Sequence, residues 1–589
     1  MKGKALLIVA VIMILAGGIF ANQVQKNFGQ VKVTDIRFSG KDGATMSALL
    51  YVPKNATPQK PAPAIQAIHG YINSRETQSG FAIEFARRGW VVLELDQRGH
   101  GYSMPPVGAG GYGAIDGLAY LRSLDFVDKS KIGLEGHSMG GWASVIAAAT
   151  SPNDYAAMVL EGSSTATKFS QKFVPIPGSP AFPRNLALVF STFDEFSMLM
   201  WEIPVAKNVI ASEPLKKVFG TETTIEPGKI YGSIKEGNAR VLYQPKTTHP
   251  GDHISCSAIG YAIEWFQKTL GEVTPLPASN QIWYWKEIAT LISLIGCLLF
   301  IFAFGKMLLQ VGLFRTLLSA PQNPKPATGV GWWIGALLMM VIPAITYFPL
   351  NGIGNLAVKA SWLFPQQVTN TLMFWLLINM VITLVLFLIW HLFNRKKGAG
   401  AISYGVAAAS GDTWKKIGLS AIFAIVVIGV AYVSVVLISA IFTVDYRFWI
   451  MQLKPMSGLQ FQIALRYLIP FLLFYLVFAA ALHGQLRSVA GSLASRMIKA
   501  VVVTSLGYLA LLLLLYIPLF AGGPVGVSDI RLILYAIVAI QVLPLFIIVS
   551  CISVYFYEKT GLIYPGAFIN ALFITWYIVA SQATHIPLT

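Results

Sequence analysis

From residue 285 to residue 582 one apolar run follows another, and each of eight is about 20 residues long, enough to cross a bilayer's hydrocarbon core as a helix. They fall at 286–308, 329–349, 371–393, 417–441, 464–483, 498–520, 532–556 and 563–581. No water is available in lipid to satisfy exposed peptide groups, so each run is expected to be a helix that bonds its own backbone. Composition agrees, since 55% hydrophobic against 12% charged is too apolar for a wholly water-soluble chain.

The first candidate span is at the N-terminus, where Lys2 and Lys4 precede an apolar stretch from Ala5 to Ala21. Ile19 and Ala21 flank Phe20 where a small-x-small cleavage site is wanted, so an uncleaved signal anchor is expected, although the stretch resembles a signal peptide. Anchor or signal peptide, it exports the segment on its C-terminal side. Residues 30–275 instead alternate apolar strands with polar loops and mixed helices. The expected organisation is therefore an anchor at 1–24, an exported domain at 25–275 and a membrane domain at 276–589.

Orientation can be read separately from the basic residues of the short loops. An N-in start places Lys306, Arg315, Lys325, Arg395, Lys396, Lys397, Lys415, Lys416, Arg487, Arg496, Lys499 and Lys559 inside, against Lys359, Arg447, Lys454, Arg466 and Arg531 outside. Twelve against five supports nine spans with the C-terminus out. Much of the formal +17 charge is thus topology signal, and nucleic acid is not an expected partner. Of three cysteines, Cys256 is in the exported domain and Cys297 and Cys551 are in spans, which excludes a disulfide framework. His249 and His253 stand four apart like helical metal ligands, but Pro250 and Gly251 break the helix between them, so neither metal nor cofactor is expected.

In the exported segment, Gly136-His137-Ser138-Met139-Gly140 is a G-x-S-x-G run between an apolar strand, 131–136, and a small-residue helix, 140–150. That context marks a nucleophile elbow, the turn that holds a serine up for attack. Further strands are expected at 30–38, 46–53, 63–69, 89–96, 156–161, 186–191 and 239–244, with helices near 75–88, 109–124 and 255–269. Continuous apolar strands separated by helices argue a mostly parallel sheet covered on both faces.

Three motifs carry a resemblance to the α/β-hydrolase superfamily over about 240 residues: the elbow, His69-Gly70-Tyr71 closing the third strand, and Asp96-Gln97-Arg98-Gly99-His100-Gly101-Tyr102-Ser103 after the fourth. The run Glu84-Phe85-Ala86-Arg87-Arg88-Gly89 is similar to the dienelactone-hydrolase and S9-peptidase-like branch. The resemblance implies an eight-stranded α/β-hydrolase domain, joined to the all-α polytopic membrane domain that the apolar runs predict. It also implies a triad in the order serine, acid, histidine. Ser138 is the expected nucleophile, with backbone N–H groups of Tyr71 and Met139 as the oxyanion hole. Asp194, in a turn after the seventh strand, is the preferred acid beside a Glu195 that a bland reading leaves solvated, and Glu161 is the alternative. His249 and His253 both follow the eighth strand, and loop length favours His249 as base; His69, His100 and His137 come too early.

The segments 169–183, 198–204 and 218–232 exceed simple crossovers and are expected to cap the pocket. Near the C-terminus, Tyr557 to Ala571 is similar to the closing segment of CPBP (CAAX-type) intramembrane proteases. Asn570 stands where that family has His, and its paired Glu motif is absent from Ala480-Ala481-Leu482-His483-Gly484, which implies a scaffold that has lost proteolysis. The expected activity is that of a cell-membrane serine hydrolase, working outside the cytoplasm on a lipid or envelope ester through an acyl-enzyme. A peptidase, an acyltransferase and a transporter or receptor with a hydrolase-like binding module are the alternatives.

Overall fold

The computed structural model describes residues 2–322, 329–487 and 491–587; Lys325, counted above as an inner cation, lies outside them. The chain begins with helix α1 (Lys2–Gln25). It then forms strands β1 (Val31–Ser39), β2 (Thr45–Pro53), β3 (Ala62–Ile68), β4 (Val91–Asp96), β5 (Val127–His137), β6 (Ala157–Glu161), β7 (Leu186–Val189) and β8 (Arg240–Tyr243). They make one sheet of order β1-β2-β4-β3-β5-β6-β7-β8, in which β2 runs antiparallel to β1 and β4 and the rest are parallel. Helices α2 (Ser79–Arg87), α3 (Ala114–Ser123), α4 (Met139–Thr150), α5 (Ser197–Trp201), α6 (Glu213–Phe219) and α7 (Cys256–Leu270) lie in the connections.

Both faces of the sheet are covered, which is why its strands read as unbroken apolar runs. Along β2, Met46, Ala48 and Leu50 belong to the core under α3 and α4, whereas Leu49 and Tyr51 belong to the core under α2 and α7. The helix expected from 109 begins only at Ala114, because Gly108, Gly110, Gly111 and Gly113 all take positive φ and cannot continue a right-handed helix.

After α7 the chain becomes helical: α8 (Trp283–Leu308), the short α9 (Gly312–Arg315), α10 (Val330–Ala357), α11 (Gln367–Asn394), the short α12 (Ala401–Tyr404), α13 (Thr413–Phe442), α14 (Gly458–His483), α15 (Leu493–Phe520), α16 (Ile533–Thr560) and α17 (Tyr564–Ser581). Among the described residues, nine helices, α1 included, are long and apolar enough to cross a membrane. The bundle's outer surface is apolar, with Trp333, Trp414 and Leu514 at 67%, 86% and 72% exposure, a belt suited to lipid and costly in water. Helix α17 is buried along its length, and its Asn570 donates to the Val549 carbonyl at 2.9 Å. Helix α1 packs on α8 through small residues: Ser293 Oγ donates to the Ile14 carbonyl at 3.2 Å, and a side chain at Gly17 would collide with Ala289 and Ser293.

The sheet domain rests on one end of this bundle. The Asn73 N–H donates to the Ser581 carbonyl at 2.8 Å, and the Tyr102 hydroxyl to the Pro455 carbonyl at 3.0 Å. Between α13 and α14 the chain forms a hairpin, β9 (Tyr446–Phe448) and β10 (Met451–Leu453), where sequence reading saw only an outer loop. From that hairpin Arg447 and Lys454 reach Glu76 at 3.6 and 3.3 Å. Burial alone would raise the Glu76 pKa, but Lys454, Arg75 and Arg447 hold it well below the usual carboxylate range. Arg447 and Lys454 are thus buried ion-pair partners as well as loop charges.

Candidate active site

Strand β5 ends at His137 and α4 starts at Met139, which leaves Ser138 alone in the turn at φ 55°, ψ −120°. A non-glycine residue pays strain there and persists only where the surroundings hold it. They do so from both sides. The Ser138 N–H donates to the Glu161 carbonyl at 2.8 Å, and the Ser138 carbonyl accepts from the Gly141 N–H at 3.0 Å and Ser163 Oγ at 2.6 Å. The glycines of the motif have steric causes: a Cβ on Gly136 would strike the Gly140 backbone, and one on Gly140 would strike the Ile68 and His69 carbonyls.

Asp194 sits in the turn after β7, where its Oδ1 accepts the Phe196 N–H at 2.7 Å. Its Oδ2 accepts from His249 Nδ1 at 2.8 Å, so the acid and base preferred from the sequence are brought together. Gly162, at φ +51°, lets them meet: a Cβ there would lie 2.7 Å from His249 Nδ1 and 3.1 Å from Asp194 Oδ2. Burial lowers the His249 pKa to about 3, so its ring is neutral near pH 7. A neutral ring donating from Nδ1 keeps the Nε2 lone pair free to take a proton.

His253 has no such partner among the described residues; its ring packs on His137 at 4.1 Å. Glu161, the alternative acid, points instead toward Glu135 on the neighbouring strand, where burial and that second carboxyl push its pKa well up. His137 Nε2 bonds the His249 carbonyl at 2.9 Å, and His100 Nε2 bonds the Tyr71 carbonyl, so both early histidines brace the site. Glu195 departs from the solvated reading: it is 3% exposed and accepts the His249 N–H at 2.8 Å.

Ser138 and His249 line one cleft of about 450 Å³, counting its open mouth, together with Gly70, Tyr71, His253 and Phe196. No hydrogen bond joins Ser138 to His249, a contact that in unliganded hydrolases often tightens only around substrate. The Tyr71 and Met139 N–H groups border the serine and donate to no protein acceptor among the described residues, as an oxyanion hole requires. The cover differs from expectation. No residue of 169–183, 198–204 or 218–232 lines the cleft; Val174, Trp201 and Val218 are instead buried in the core beside α4. The outer wall is Ile450 of the β9–β10 turn with Leu534 and Ile537 of α16. Sequence reading could not pick these out, because apolar residues in and beside apolar spans carry no distinguishing signal.

Residues 63–198 match a family model described as alpha/beta hydrolase fold. Dipeptidyl peptidase 8 of Mus musculus and of Homo sapiens are each 31% identical over 127 residues, 19% of this chain, and the chain spans only 14% of the length of these relatives. Similar solved structures include a dienelactone hydrolase from Anabaena variabilis, at TM-score 0.29 and 17% identity over 41% of this chain and 99% of that one. A bacterial heroin esterase gives 0.30 and 16% over 40% and 83%, and an esterase of Pyrococcus furiosus 0.30 and 14% over 42% and 94%. The family match spans the elbow, and with its eight-stranded, mostly parallel sheet this chain has the alpha/beta hydrolase fold around residues 63–198.

Proposed function

We propose that this protein is a membrane-anchored serine hydrolase that cleaves an ester of an acylated lipid or envelope component, with Ser138 as nucleophile, His249 as base and Asp194 as its partner. The observation that carries this reading is the His249–Asp194 pair at 2.8 Å, opening with Ser138 on a cleft whose outer wall comes from the membrane-helix half of the chain. A substrate reaching that cleft along Ile450, Leu534 and Ile537 meets apolar side chains, which favour an acyl chain over a polar one.

In this scheme Ser138 Oγ attacks the ester carbonyl carbon while His249 Nε2 takes its proton. The oxyanion is received by the Tyr71 and Met139 N–H groups, and Asp194 stabilises the imidazolium. Collapse breaks the bond to the alcohol, which leaves with the proton from His249. Water then attacks the acyl-enzyme with His249 again as base, which releases the acid and restores Ser138. A suitable acceptor in place of water would make the same site an acyltransferase. The likeness to dipeptidyl peptidase 8 favours a second reading, a peptidase, over a short segment. Incubation with acylated lipids and with peptides, followed by product analysis, decides between them.

The excess of basic residues in alternate loops supports an extracytoplasmic catalytic domain. The first test is labelling of membranes with a fluorophosphonate probe. Labelling is expected in wild type and His253→Ala and absent from Ser138→Ala and His249→Ala; folded wild type that takes no label refutes the enzyme reading.

A further inference from the structure

Glu195 follows the proposed acid by one residue, and both of its carboxyl oxygens are occupied. Oε2 accepts the backbone N–H of His249 at 2.8 Å, and Oε1 accepts the hydroxyl of Tyr516 at 3.0 Å. Tyr516 belongs to α15, in its last turns, so a membrane-span helix supplies one of the two groups that hold this buried carboxyl. The same hydroxyl lies 3.3 Å from the Ala536 carbonyl of α16, the helix that also walls the cleft through Leu534 and Ile537. Its single proton can serve one of these acceptors fully, so the relative seating of α15 and α16 bears directly on Glu195.

We infer that Tyr516 is a positioning residue for the catalytic histidine, acting through Glu195, which makes the active site dependent on the seating of the membrane helices. The inference rests on the reading of Ser138, Asp194 and His249 as a triad. His249 is aimed by two handles, its ring on Asp194 and its backbone on Glu195, and Tyr516 sets the second. Burial and the adjacent Asp194 raise the Glu195 pKa to about 8, while the His249 N–H and the Tyr516 hydroxyl act in the opposite direction. Removal of the hydroxyl leaves Oε1 without its hydrogen-bond partner in a dry site, where an unpaired polar group is costly. A second contact acts on the same loop: the Trp449 indole N–H donates to the carbonyl of Pro250, the residue after His249, at 2.6 Å.

The experiment measures phosphonylation of the purified full chain by a short-chain fluorophosphonate over a concentration series, which separates probe binding from the chemical step. Tyr516→Phe is expected to slow the chemical step roughly 10-fold, the scale of one lost buried hydrogen bond, while probe affinity and melting temperature stay near wild type. Glu195→Ala is expected to slow it similarly, and the double variant to be no slower than either single one, because both changes break the same relay. Wild-type rates in Tyr516→Phe, or losses that add in the double variant, overturn the inference while leaving the triad reading intact. A fall in melting temperature matched by fewer reactive sites at an unchanged rate overturns it as well. If Tyr516→Phe does not fold, Glu195→Ala reports on the same contact, with an unchanged rate as the refuting result. A wild-type protein that takes no label removes the triad itself.

Discussion

Gly162 and His249 approach so closely that a Cβ on the glycine would lie 2.7 Å from Nδ1, the nitrogen that bonds Asp194. The glycine also sits at φ +51°, where a side chain is strained whatever the space. Gly162→Ala is therefore expected to push the imidazole off Asp194 and cut the phosphonylation rate on the order of 100-fold, the effect of about 1 Å of misplacement, with Ser138 itself intact. Rapid labelling of a folded Gly162→Ala protein would remove the His249–Asp194 pair from the mechanism.

Stability should depend on pH through buried carboxyls with raised pKa values, Glu94 and Glu195 among them. Burial raises Glu94 to about 7 and Glu195 to about 8, both above their ordinary 4.5. The folded protein then holds protons that the unfolded chain has released, so stability falls as pH rises from about 5 to 8. Glu94 alone accounts for a loss on the order of 3 kcal/mol over that window. Melting temperature in detergent is expected to drop from pH 5 to pH 8, and Glu94→Gln to flatten the drop. An equal slope in the variant would show that Glu94 does not titrate there.

Sidedness can be read from a native thiol. Cys256 is exposed at the start of α7, whereas Cys297 is buried in α8. A membrane-impermeant maleimide is expected to label intact cells, with the signal lost in Cys256→Ser. Labelling that appears only after permeabilisation would put the hydrolase domain on the cytoplasmic side.

Ile537 lines the cleft from α16. Ile537→Trp should fill the space proposed for an acyl chain and lower turnover of long-chain esters by about 10-fold or more, while acetyl esters change little, since a hydrophobic pocket discriminates by about 1–3 kcal/mol per methylene. Equal loss across chain lengths would mean that α16 does not contact the acyl group.

The strands, the spans and the elbow were legible in the sequence because each depends on local pattern. Period and length of apolar runs follow from which faces are buried, and the glycines around Ser138 follow from contacts within a few residues of it and with the adjacent strand end. Asp194 and His249 were legible as a short list from chain order, but 55 residues separate them, and only folding brought the Asp194 turn and the His249 loop within 2.8 Å while leaving Glu161 against Glu135. The wall of the cleft was decided wholly by tertiary structure. Ile450, Leu534 and Ile537 look like any other apolar residues in or near a span, and Tyr516 lies 321 residues from the Glu195 it bonds. Such contacts depend on how one packed unit seats on another, a property of complementary surfaces that no periodicity along the chain encodes.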